Sequence, residues 1–458
     1  MTIPNFLFLI VFMCFATVNE VQSVVVCDFV FEAITNQYTC RIANQNIINE
    51  ADLLVISGVH AANYTDQRVV AINSVNSTIQ IFPSNVIDRF ENLQKVHFNN
   101  SGMRTFVRPI ANCKALTSLL LDYNEISSVP GGIFRNCPSI ADLSLTGNSI
   151  EIVNVNAFFG IAGLRRLSLQ NNSLRMIDTQ VFFHIANLTF LDLDNNLFTD
   201  ITPDTFQFLT QLVELQFTNN SILTWNETLL ASNRMLKILT LTGNQISSLN
   251  AQTFANLPLL EKLEIGGNLV TIPTLTNLQN LLSLTLCRNK IKEVSAESFA
   301  SMTKLTDLNL DHNLIEVVNF TMWSTRSALR VLSLKNNKIA ILPENAFSNL
   351  QNLISLDLST NNLESLNILA LKLPPALQFI DLSNNKIRKI DREIFVNATR
   401  LEIRGKGNIC FNEDILISNN FNPVAENILK DCFNIAVAKK VNISFLLSSA
   451  IANLLWRK

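Results

Sequence analysis

Glycine and proline are scarce, twelve of each in 458 residues, which argues against a disordered or low-complexity chain. Basic charge is not in excess: 35 Lys and Arg stand against 37 Asp and Glu, leaving a net charge of −2. Nucleic acid, which selects basic surfaces, is therefore not expected as a partner. Histidine is rare, with four scattered residues at 60, 97, 184 and 312, none in an H-E-x-x-H or triad-like setting. A P-loop, a G-x-S-x-G elbow and a C-x-x-C pair are all missing. Asp311-His312 is the nearest approach to a metal or acid/base pair, yet neighbouring strand residues point to opposite sides and no third ligand joins them. Neither catalysis nor a cofactor is expected.

What the chain does have is repetition. From Val69 to Arg400 the pattern L-x-x-L-x-L-x-x-N-x-(I/L)-x-x-(L/I/V) returns about every 24 residues. Leu164-Arg-Arg-Leu-Ser-Leu-Gln-Asn-Asn172, Leu305-Thr-Asp-Leu-Asn-Leu-Asp-His-Asn313 and Leu329-Arg-Val-Leu-Ser-Leu-Lys-Asn-Asn337 align without gaps. Fourteen copies start at 69, 93, 116, 140, 164, 188, 212, 236, 260, 281, 305, 329, 353 and 377. One step, from 260 to 281, is 21 residues long and carries Gly266-Gly267 and Pro273, so a thinner back wall is expected there. No single copy buries itself; stacked copies make a solenoid with one long curved surface.

Each position in the pattern has a physical reason. In Leu116 to Leu121, period-2 alternation sends Leu119 and Leu121 inward and Ser118, Leu120 and Asp122 outward. Parallel strands at roughly 4.8 Å spacing would give the concave arc a length of about 65 Å. The ninth position is Asn at 124, 148, 172, 196, 220, 244, 268, 289, 313, 337, 361 and 385, with Ser77 and Ser101 in the first two copies. A buried carboxamide donates and accepts, so it suits backbone groups of the turns above and below. Phe134, Phe158, Phe182, Phe206, Phe254, Phe299, Phe347 and Phe395 recur at one later position as an aromatic spine. Both rows read as core rather than as a ligand ladder.

On these repeats the chain resembles the extracellular leucine-rich repeat family, which includes Toll-type receptor ectodomains. Its texture is most similar to insect members such as chaoptin, connectin and the mosquito leucine-rich immune proteins. The resemblance implies an α/β solenoid, a horseshoe with a parallel concave sheet and disulfide-stapled caps. Along the chain the reading is a signal peptide at 1–23, an amino-terminal cap at 24–68, repeats at 69–400, a carboxy-terminal cap at 401–440 and a hydrophobic tail at 441–458, the two caps being what the resemblance implies. Cap disulfides Cys27–Cys40 and Cys410–Cys432 follow from it. The second cap departs from the family pattern: Gly407-Asn408-Ile409-Cys410 has the position, but the usual Pro-Trp and adjacent cysteine pair are missing.

The remaining cysteines are read from spacing. Cys113 and Cys137 each lie three residues before a repeat start, so they sit one solenoid step apart, as a disulfide or as two buried thiols. Cys287 has no partner. It points out of the concave face beside Gly266, which leaves a notch, and Asp311 on the next turn disfavours its thiolate. A bond to another chain, giving a homo- or hetero-dimer, and a tucked thiol are the two readings.

Secretion is expected from Phe6 to Ala16, an eleven-residue apolar run followed by small residues at Ala16 and Ser23, although the segment before it lacks Lys and Arg. Ten N-x-S/T sequons stand at Asn63, Asn76, Asn99, Asn171, Asn187, Asn219, Asn226, Asn319, Asn397 and Asn442. Near the other end, Val441 to Trp456 is mostly apolar between Lys439-Lys440 and Arg457-Lys458. A helix of that length spans about 24 Å, short of the roughly 30 Å hydrocarbon core. A membrane tether, a helix on the cap and a secreted soluble product all remain readings.

Outward strand positions can be read copy by copy. The acids are Asp122, Asp142, Asp192, Asp194, Glu214, Glu264, Asp307, Asp311, Asp357 and Asp381; the bases are Lys95, Arg166, Lys262 and Lys335. Ten against four gives the concave face −6. Asp192, Asp194 and Glu214 form one centre with Phe190 and Ile238, while Asp307 and Asp311 form a second; Val331 and Phe379 also surface. Charge beside apolar anchors suits a protein interface, and solubility is the plainer reading. The expectation is an extracellular recognition protein binding a protein or other macromolecule, in immune or receptor-type signalling. Cell adhesion or patterning is the alternative, and it requires membrane attachment.

Overall fold

The computed structural model describes residues 24–433 except 33–34, 48–54, 251, 272–274, 276, 295–297, 300, 319–327, 370, 396–397, 399 and 419–422. The signal segment 1–23, the tail 441–458 and the sequons Asn319, Asn397 and Asn442 lie outside the described residues.

Short strands repeat along the chain and pair in sequence order. Ala71–Val75 pairs with Lys95–His97, which pairs with Ser118–Leu120, and the parallel series continues to Phe379–Asp381 and Arg400–Arg404. Leu143 stands opposite Leu167 and Leu191 opposite Leu215, a 24-residue step without slip. Across the shortened copy Leu263 still pairs with Leu284, so the three missing residues come out of the convex return. That return is built from turns and short 3-10 segments, with Ser84–Asp88 an α-helix near its start.

The alternation works as the sequence implies. Leu119 and Leu121 are fully buried, and the phenylalanine spine from Phe134 to Phe395 lies in the same continuous core. The ninth-position asparagines are buried too, but they do not reach both ways. Asn148 donates to Leu145 of its own turn at 2.9 Å and to Leu121 of the preceding turn at 3.0 Å. Its Oδ1 accepts the Ile126 N–H, again from the preceding turn. Asn172, Asn196 and Asn313 repeat the arrangement. Each carboxamide therefore closes the turn before it, and Asn408 of the carboxy-terminal cap closes the last one through Leu382 and Ile387. The residue before each of these asparagines is left-handed, for example Asn171 (φ 55), Asn195 (φ 54), Asn219 (φ 53) and Gly243 (φ 71). Asn and Gly tolerate that conformation best.

Both ends are capped. Asp28–Phe31 runs antiparallel to Tyr38–Ala43, which joins the main sheet beside Ala71–Val75, with the Cys27–Cys40 disulfide at their base. His60 bonds Tyr38 and Asp66 and stacks on Phe29, filling the end of the core with aromatic surface. Burial pushes the Asp66 carboxyl up, but hydrogen bonds and charge from Arg89 and His60 outweigh it and hold it below the usual range. At the other end Ile415–Ser418 turns antiparallel to Arg400–Arg404, and the helix Pro423–Phe433 covers the core, tied by Cys410–Cys432. A third disulfide joins Cys113 and Cys137 on adjacent turns, with Cα atoms 4.8 Å apart. Among the described residues no helix is long and apolar enough to cross a membrane.

Candidate concave interface

From Lys95–His97 to Phe379–Asp381 each concave strand is three residues long, with its middle residue buried and its first and third facing out. Two residues past the third, the chain turns away, and one backbone N–H there has lost its ladder partner. Side chains satisfy it. Asp122 accepts the N–H of Thr146, Asp194 that of Thr218, and Asp311 that of Lys335, each on the next turn. Asp192, Asp357 and Asp381 act locally, accepting the N–H two residues on, from Asp194, Ser359 and Ser383. Asn99 and Asn309 fill the same roles without charge. Six of the ten concave acids are thus engaged in closing the backbone.

This changes the first acidic centre. Asp192 faces the concave side but is only 6% exposed, packed by Ser168 and its own turn. Burial pushes its carboxyl above the usual range, and the Glu214 charge adds to the effect against the bonds it accepts. Asp194 is pushed up to about 6 by burial, despite the Thr218 N–H, with Asp192 contributing. Asp192 is therefore a structural acceptor, not an exposed contact. In the second centre Asp307 is exposed, whereas Asp311 is half-buried and held by Ser333 and Lys335. Burial raises Asp311 as well.

The first outward residue of each strand has no such duty. Arg166, Phe190, Glu214, Ile238 and Lys262 stand side by side in register on five consecutive strands. The Arg166 guanidinium lies 3.8 Å from the Phe190 ring centroid, a cation–π contact open to solvent. Gln216 steadies Glu214 at 2.6 Å, and Lys262 reaches Glu264 at 2.7 Å. Phe190, Glu214 and Ile238, which the sequence groups in one centre, fall together here; Arg166 and Lys262, which the sequence places on the concave face but not in that centre, join them through shared register. Asp307 lies two strands beyond Lys262 and is a separate centre.

Cys287 is the free thiol among the described residues, half-buried. A Cβ on Gly266 would come within 2.9 Å of its sulfur, so the notch is filled by the sulfur rather than open above it. Burial and then the Asp311 charge raise its pKa, against Arg288.

The leucine rich repeat family model matches residues 114–174, 162–222, 210–270, 273–315 and 327–387. Among solved structures, a leucine-rich repeat protein of Leptospira interrogans is 27% identical with a TM-score of 0.66, covering 80% of this chain and 89% of that one. The Drosophila Toll–Spätzle complex gives 24% identity and a TM-score of 0.61 over 78% of this chain and 54% of that one. The LRIM1/APL1C complex gives 19% and 0.67 over 94% and 77%. The last two likenesses speak to the fold alone. No curated protein sequence matches the chain.

Proposed function

The chain belongs to the leucine-rich repeat family, and on that premise we propose that it is a non-catalytic extracellular recognition protein whose concave face binds a protein partner. The carrying observation is the Arg166–Phe190–Glu214–Ile238–Lys262 row, in which charged and apolar side chains alternate with no backbone role. Aromatic and aliphatic anchors between charges are what a protein interface uses for affinity and register. Three disulfides fit an oxidising compartment, which favours secretion through the 1–23 segment. Two of the similar structures, Toll–Spätzle and LRIM1/APL1C, are complexes, which supports partner binding in immune or receptor-type signalling. In this reading residues 69–400 carry the binding repeats between caps at 24–68 and 401–440.

The test is capture from extracellular fluid with the purified full chain and with a Phe190→Ser/Ile238→Ser variant. Both side chains are only half-buried, so the fold should persist. A protein bound by the native chain and weakened about tenfold or more by the double variant supports the proposal. Equal capture by both would move the interface off this row. Recovery of the chain only from detergent-extracted cells would favour adhesion instead.

A further inference from the structure

Two aromatic side chains break the pattern of the convex return. Phe158 and Phe182 belong to the buried spine, but the next residue in each copy faces solvent, Phe159 at 49% and Phe183 at 54% exposure. Other copies carry Asp88, Arg135, Gln207, Ala231 and Ser348 at that place. His184 joins the two. Its ring lies nearly perpendicular to both, with centroids 5.1 Å from Phe159 and 5.2 Å from Phe183. Phe208 on the following turn extends the surface from Phe183, again at 5.1 Å. Rings held in a row in this way offer π faces to a ligand.

The two exceptions fall on the turn that ends in the sequon Asn187-Leu188-Thr189 and on the turn before it. Phe183–Ile185 is a 3-10 segment, and its bonding runs on to the sequon: the Ile185 N–H donates to Phe182 and the Leu188 N–H to Ile185. Residues three apart eclipse in such a segment, so Asn187 shares a face with His184, roughly 6 Å further along. Asn187 is exposed. The Arg165 guanidinium fixes its backbone by donating to its carbonyl at 2.9 Å. Its Nδ2 donates one hydrogen to the Ala162 carbonyl at 3.0 Å, and the second is the one a sugar replaces. Gly163 holds the equivalent place one turn earlier, so that neighbour has no side chain to crowd the carboxamide.

We propose that Asn187 carries an N-linked glycan and that Phe159, His184 and Phe183 form the seat of its first sugar ring. The sugar is an N-acetylglucosamine delivered on a lipid pyrophosphate. Its C1 forms a bond to Nδ2 as the C1–O bond to the pyrophosphate breaks; one Nδ2 proton is released and the lipid pyrophosphate leaves. The remaining Nδ2 hydrogen keeps its bond to Ala162. The C–H face of the sugar, polarised positive, packs on the negative faces of the rings. This inference rests on the secretion proposed above, because the donor belongs to the secretory route. The seat lies on the convex return, so the Arg166–Lys262 row stays open to its partner.

The experiment uses the full chain secreted from mammalian cells, with Phe159→Ser/Phe183→Ser and Phe159→Tyr/Phe183→Tyr beside it. Each folded protein is treated with peptide N-glycosidase, which turns a glycosylated Asn into Asp, and release at every sequon is followed by mass spectrometry. As in proteolysis of a transiently opened state, release follows the population in which the sugar has left its seat. The expected result is an occupied Asn187 with slow release in the native chain and in the Tyr variant. In the Ser variant release at Asn187 rises about tenfold while the other occupied sequons stay as they were. Equal release at Asn187 in the native chain and the Ser variant overturns the proposal. So does release from the Tyr variant as fast as from the Ser variant. A bare Asn187 beside glycans elsewhere overturns it and leaves secretion standing. A chain bare at every sequon overturns the secretion reading and this inference together.

Discussion

Asp194 holds the backbone N–H of Thr218 from the next turn while half-buried beside a second carboxyl, and its pKa stands near 6. The folded state therefore binds a proton that the unfolded chain, with an ordinary Asp near 3.9, has already released. Stability from this group is fully present below pH about 4 and is lost as pH rises through about 6. Asp194→Asn keeps an oxygen for Thr218 and removes the charge. Melting temperature against pH should flatten between 4 and 6 relative to the native chain, with a gain on the order of 1 kcal/mol at pH 7.5 after solvent screening. A variant less stable than the native chain at pH 7.5 would show that the carboxylate is needed ionised.

The buried asparagine row and the left-handed row beside it should respond differently. Asn172→Ala removes the acceptor of the Ile150 N–H and the donor to Leu145 and Leu169, all buried. A loss of roughly 3 kcal/mol or more in urea unfolding is expected. Asn171→Gly, one residue earlier at φ 55, should cost almost nothing. Comparable losses at both positions would mean that something other than these buried hydrogen bonds holds the turn.

How much of this was legible without coordinates depends on what alternation encodes. Period-2 patterning tells which way Leu119 or Asp192 points, and that placed the solenoid, its core and the concave side. Pointing outward is not the same as being exposed. Asp192 faces out and is covered, because Ser168 and its own turn close over it. The acids at Asp192, Asp357 and Asp381 sit two residues before an N–H, an Asx-turn spacing present in the sequence but hidden by the stronger repeat. Nothing in a periodic sequence says which neighbour Asn148 reaches for, since the turns on either side look alike. Gly266 was legible as missing bulk, but not that the Cys287 sulfur would take the space.

That packing gives a test of the thiol. Native Cys287 should alkylate slowly at neutral pH, because burial and Asp311 keep it protonated, and rapidly after denaturation. Gly266→Ala places a methyl 2.9 Å from the sulfur, closer than the two atoms can pack, so labelling should speed up and the melting temperature should fall by a few degrees. Fast labelling of the native chain, or a dimer band in non-reducing electrophoresis that vanishes in Cys287→Ser, would put the sulfur on the outside.

For the disulfides, peptide mapping without reduction should recover Cys27–Cys40, Cys113–Cys137 and Cys410–Cys432 as separate linked pairs. Replacing Cys113 and Cys137 together by Ala should lower stability by about 3 kcal/mol, the loop-closure value for a span of this length. A Cys113–Cys287 link would contradict the stacking order of the turns.

The backward reach of the asparagines has a consequence for how the protein is made. The Ile126 N–H waits for Asn148, which leaves the ribosome 22 residues later. At ordinary synthesis rates that delay is about one to four seconds per turn. The growing chain therefore always ends in one unfinished coil, open to solvent until its successor arrives. Only the arrival of Asn408 ends the sequence, so a chain halted anywhere inside the repeats would present a raw, sticky end to the folding machinery of the cell.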